Sequence, residues 1–120
     1  MSYSQRHTVA VTTATSGTTT GYTPVVTGRV AAIAYTKPTG TPFASTVDFT
    51  ITTENSAQTV WTQANQNASA TKHPVAAASL PSGAASTLTE VPIYAANERV
   101  KIGITNGGAA KTGTFTVLIA

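Results

Sequence analysis

Between residues 47 and 54 the chain reads VDFTITTE, and the large apolar side chains fall on every second position. Val47, Phe49 and Ile51 share one face, while Asp48, Thr50 and Thr52 share the other. A period of two belongs to a strand, because successive side chains leave a pleated backbone on opposite sides. The pattern returns at Val9 and Val11, at Val100, Ile102 and Ile104, and at Phe115, Val117 and Ile119. A chain with many such segments closes a core by stacking one sheet on another.

Residue usage agrees. Threonine and alanine are the commonest residues, valine and serine follow, and only 9% of residues are charged. Threonine and valine suit a half-buried pleated surface, and alanine is the only abundant strong helix former. A disordered chain would be less hydrophobic and more highly charged. At 120 residues the chain corresponds to one domain, which buries about two-thirds of the surface its unfolded form exposes. It has no cysteine, so a core must hold without disulfides or thiolate-bound zinc.

Punctuation divides the chain into about eight short strands. His7 to Thr13 is the first, with Val9 and Val11 inward, and Ser16 to Gly21 is a glycine-threonine link. Residues 22–37, YTPVVTGRVAAIAYTK, break at Gly28 and continue as a strand apolar on both faces, which places it centrally or under another subunit. Lys37 to Pro42 is a rigid loop. Thr59 to Thr62 is the hairpin partner of the 47–54 strand. A helix competes there, because Ala57, Trp61, Ala64 and Ala68 are three or four apart, but Thr, Val and Trp favour strand. Ala68 to Val75 is a further strand. Ala76 to Ser86 reads as a loop or arm, since Pro81 and Gly83 forbid a long helix. Leu88 to Tyr94 is an edge strand because of Pro92, and Asn97 to Thr105 and Gly113 to Ala120 complete the set. The expected fold is all-β: a single β-sandwich or jelly-roll-like domain of short antiparallel strands over residues 1–120, with 1–6 as a flexible N-terminal arm.

The closing stretch contains GGAAKTG, which invites comparison with a phosphate-binding loop. That loop needs a glycine directly before the lysine and a helix after it. Here Ala110 precedes Lys111, and Thr114 to Ile119 alternate as a strand. Asn106-Gly107-Gly108 tolerates the positive φ of a tight reversal, so the segment reads as the turn of a hairpin.

Chemistry is sparse. Asp48 and Glu54 share an outward face with Cα atoms about 20 Å apart, too far for a paired-carboxylate hydrolase. His7 and His73 lack metal-ligand spacing, and no serine sits in a G-x-S-x-G elbow. Trp61 with Tyr22 and Tyr35 could form a sugar-stacking platform, yet large aromatics in a small sandwich more often fill its core. The expectation is a non-enzyme without metal or cofactor. Seven basic and four acidic residues give a net charge of +3, but no basic run forms and none interleaves with aromatics, which speaks against nucleic acid. The N-terminal MSYSQRHTVAV lacks a signal-peptide core, and no apolar run is long enough to span a bilayer. The expectation is a soluble protein made in the cytoplasm, with no membrane partner.

Three stretches together carry a family likeness: YTPVVTGRVAAIAYTK, VDFTITTENSAQTVWTQANQNASATKHP and PIYAANERVKIGITNGGAAKTGTFTVLIA. They resemble small structural proteins of tailed bacteriophages that act as capsid decoration or cement proteins. The resemblance covers the chain from about Tyr22 onward and involves pattern and composition, with no catalytic motif. It implies a virion protein on the phage head exterior, a homotrimer that stabilises the head by bridging neighbouring major capsid protein subunits. The alternative is a tail- or fibre-associated sandwich that recognises host surface glycans through the aromatics above. Terminal arms and loops often order on a partner, so the expected contacts are Tyr3, Gln5, Arg6 and His7 at the N-terminus and Leu80, Pro81 and Ser82 in the alanine-rich loop.

Overall fold

The computed structural model describes residues 4–79 and 82–120, so Tyr3, Leu80 and Pro81 lie outside the described residues. There are eleven strands and, among the described residues, no helix. They are β1 (Gln5–Thr12), β2 (Thr19–Tyr22), β3 (Val26–Thr36), β4 (Asp48–Thr53), β5 (Thr59–Gln63), β6 (Ala70–Lys72), β7 (Val75–Ser79), β8 (Ala85–Pro92), β9 (Tyr94–Glu98), β10 (Val100–Thr105) and β11 (Thr112–Ile119).

Two antiparallel sheets enclose the core. One runs β1-β11-β3-β6, with β9 also paired to β3; the other runs β2-β10-β4-β5. β7 and β8 form a separate two-stranded ribbon. The 47–54 strand and its hairpin partner β5 are as the alternation requires, with Ile51 opposite Trp61 and Phe49 opposite Gln63. The helical reading of 57–68 is excluded.

An aromatic cluster joins the sheets. Phe49 meets Phe115 at 5.1 Å between ring centroids, Tyr35 at 4.9 Å and Trp61 at 5.2 Å, each edge-on. Edge-on pairs set a positive ring edge against a negative face. Ile33, Ile51, Ile102 and Val117 are fully buried around them. Gly113 is where Phe43 fits: a methyl there would sit 2.4 Å from the Phe43 ring.

Two bulges explain why inward residues are sometimes adjacent. On β3, Ile119 faces Val30 while Leu118 faces Ala32, so Ala31 is an extra residue. The parity change lets both Val30 and Ile33 point inward. On β5, Val60 is extra between Thr59 and Trp61, and both Val60 and Trp61 are buried.

Three expectations change and a fourth narrows. The strand count exceeds eight because Thr19–Tyr22 of the expected link pairs as β2, the expected 68–75 strand divides at Pro74 into β6 and the start of β7, and Ile93 and Arg99 set β9 apart from β8 and β10. The 100–120 segment is not a hairpin: β10 pairs with β2 and β4, whereas β11 pairs with β1 and β3. The turn at Asn106 (φ 56°) and Gly108 (φ 81°) therefore arches from one sheet to the other. Buried Thr13 pins the arch, accepting from the Lys111 N–H at 2.9 Å and donating to the Gly108 carbonyl. Strand pairing begins at Gln5, opposite Ile119, so Gln5 and Arg6 belong to β1 and not to an arm. Finally, of the two readings of the alanine-rich stretch, loop or arm, it is an arm built of paired strands, with 76–79 in β7 and 85–86 in β8.

Candidate functional site

The β7–β8 ribbon leaves the body at the middle of β3. β6 pairs with Ile33–Tyr35 and β9 with the Val26–Arg29 end, and the ribbon is the chain between them. Pro74 and Pro92 stand at its base, and Pro92 faces Val75. A proline cannot donate to a ladder, so the body's pairing stops there and the chain turns away. Val75 and Val91 remain 52% and 38% exposed on this arm. The radius of gyration, 15.0 Å, exceeds the about 13.5 Å typical of a compact chain of this length, in keeping with a projecting element.

The outer face of the five-stranded sheet borders the arm. Arg6 of β1 faces Leu118 of β11, which faces Ala32 of β3, making one cross-strand row. Leu118 and Ala32 line both a shallow groove closed by Arg6 and another closed by Val75 and Val91. This face is small-residued, and Arg6 is the only charge in its first groove. Of the expected contact residues, Arg6 borders this face. Gln5 is exposed beside it, and His7 is half-buried, its Nε2 3.2 Å from Gln5 Oε1. Ser82 is exposed in the turn of the arm.

On the opposite flank, a groove of about 570 Å³ separates β5 from the arm base. Trp61 lines it, with Lys72, His73 and Gln58. The Lys72 ammonium lies 5.8 Å from the Trp61 ring centroid. Trp61 is only 6% exposed, and its indole N–H has no hydrogen-bond partner. A buried donor left unpaired costs about 1–3 kcal/mol.

The acids serve structure. Glu98 is buried and accepts hydrogen bonds from the N–H groups of Asn55 (2.8 Å), Ser56 (2.9 Å) and Ala96 (3.1 Å) and from the Ser56 hydroxyl. Burial alone would push its carboxyl upward, but those donors, Ser56 and Ala96 foremost, outweigh it and hold the pKa down at about 2. Glu54 forms an ion pair with Arg99, whose hydrogen bond lowers the Glu54 pKa, and the Arg99 guanidinium lies 3.9 Å from the Tyr22 ring centroid. Asp48 accepts from Asn106 Nδ2 at 2.9 Å and from the Asn65 N–H at 3.2 Å. Asp48 and Glu54 are thus each bound to local partners. Among the described residues no three His, Cys, Asp or Glu side chains gather where a metal could bind.

The three aromatics do not form a platform. Tyr35 and Trp61 are in the core, while Tyr22 stacks under Arg99. The Glu98 pin, the Trp61 groove and the Arg6–Leu118–Ala32 row escape sequence reading, because each depends on pairing between distant segments.

No family model and no curated protein matches the chain. A solved structure, the crystal structure of FLHE, aligns over 98% of this chain and 98% of its own at 10% identity, with a TM-score of 0.49. So slight a likeness decides nothing about function.

Proposed function

We propose that this protein is a structural virion component: a decoration protein on the head of a tailed phage that bridges neighbouring major capsid protein subunits as a homotrimer. The observation that carries this reading is the outer face running from Arg6 through Leu118 and Ala32 to the arm base, a row of short and apolar side chains in which Arg6 at one end and Arg29 and Glu90 at the other are the charges. The likeness in sequence to phage cement proteins supports it. Short side chains such as Ala34 and Thr116 lose little rotamer freedom when covered. A subunit joint of this kind buries on the order of 1,200–2,000 Å². A trimer that touches several subunits at once gains avidity of about a hundredfold or more over one contact.

The test is binding to phage heads stripped of decoration protein, followed by imaging of the particle. The expected result is saturable binding at many copies per head, weakened by Arg6→Glu and by Ala34→Asp, with the heads surviving heat or chelator better when coated. Binding only at the tail tip, or no affinity for stripped heads, overturns it.

A further inference from the structure

The ribbon β7–β8 and the groove beside β5 complement each other: within one chain the base of β7, Val75 and Ala76, lines the groove but does not pair with β5. An isolated two-stranded hairpin is at best marginal in water and gains independent stability from a third strand. Here the ribbon pairs with neither sheet. The sheets, for their part, expose edges of unequal kind. β1 carries Arg6 and His7, β2 has four residues, and β6 has three, ending at Lys72 with Pro74 two residues beyond. Charge, shortness and proline are the usual guards of an edge against added strands. β5, TVWTQ, has neither charge nor proline, and beyond its bulge Trp61–Gln63 remains regular.

Two further features mark the β5 edge as a place where chain is added. Trp61 lines the adjoining groove with the small part of its ring that stays exposed, so a strand laid beside β5 would cover it. The groove also carries one cation, Lys72, and no acid among its lining. Between Pro74 and Pro92 the only charge in the ribbon is Glu90, exposed on β8.

We infer that the ribbon is an exchange arm: β8 of one copy adds as a strand to the β5 edge of a second copy, with Glu90 set against the Lys72 groove. The contact joins two different surfaces, so it propagates from copy to copy and closes into a ring when the rotation allows. The inference concerns copies of this chain alone and does not rest on the capsid reading.

The experiment is sedimentation of the full chain across concentration in the absence of capsids, with Trp61, the chain's one tryptophan, as fluorescent reporter. The expected result is reversible association above the 12.2 kDa monomer, accompanied by a shift in Trp61 emission as the groove its ring lines is covered and the Lys72 ammonium beside it is paired. Lys72→Glu or Glu90→Lys alone raises the concentration for half-assembly about tenfold, through like-charge contact, and the double variant returns toward wild type. Both substitutions are at exposed positions, so circular dichroism will show an unchanged sandwich. A chain that stays monomeric at hundreds of micromolar overturns the inference. So does association that ignores both charge reversals or leaves Trp61 emission fixed.

Discussion

Ser56 meets the carboxylate of Glu98 twice, through its main-chain N–H at 2.9 Å and its hydroxyl at 2.9 Å. The contact ties the β4–β5 turn to the end of β9, between segments more than forty residues apart. A carboxylate is tolerated in this buried place because donors converge on it from Asn55, Ser56 and Ala96.

Acid should therefore loosen the fold through Glu98. Its folded pKa is about 2, against 4.5 for the ordinary group. A depressed pKa contributes stability that is complete above the unfolded value and lost as pH falls through the folded one. Thermal melting from pH 7 to pH 2 is expected to show a decline in Tm that begins below about pH 4.5. Glu98→Gln flattens that decline and at pH 7 costs about 1–3 kcal/mol, since an amide nitrogen then faces N–H donors. Equal acid sensitivity in the variant would show that other carboxylates dominate.

Much of the body is legible in sequence because it depends only on local alternation. Phe49 and Ile51, or Phe115, Val117 and Ile119, point inward in the structure as their spacing demands. Alternation identifies a strand but not its neighbour, so residues 100–120 look like a hairpin although they serve two sheets. It also fails at bulges, where Val60 and Trp61 are both buried. That the arm is built of paired strands is hidden for a different reason. Alanine and serine are weak strand formers, and residues 75–79 become β7 only by pairing with β8. Of the expected contact residues, Arg6 is the one whose place on the outer face register makes intelligible, through Leu118 and Ala32.

The arch between the sheets should depend on Thr13. Its hydroxyl oxygen accepts from Lys111 N–H at 2.9 Å and its proton goes to the Gly108 carbonyl. Thr13→Val keeps the shape but leaves both main-chain groups without that partner, at an expected cost of about 1–3 kcal/mol in urea unfolding. Thr13→Ser retains the hydroxyl and should recover most of the loss. A valine variant as stable as the threonine protein would show that the hydroxyl does not hold the arch.

The aromatic core makes a steric prediction at Gly113. An added methyl meets Phe43 at 2.4 Å and Tyr35 at 3.0 Å, distances that require the rings to move. Gly113→Ala is expected to destabilise by about 1–3 kcal/mol and to weaken near-ultraviolet dichroism from the displaced rings. An unchanged melting temperature would mean that the Phe43 loop yields freely.

Trp61 separates a glycan platform from a core residue by its light emission. At 6% exposure, packed edge-on to Phe49, its indole is shielded from water. Monomeric protein should fluoresce at short wavelength and resist quenching by acrylamide, and simple sugars should leave both unchanged. Phe49→Leu removes the edge-on partner at 5.2 Å and should move the emission toward that of an exposed indole. A red, readily quenched Trp61 in the wild-type monomer would instead mean that the β5 flank opens in solution, and with it the ring that the core is built around.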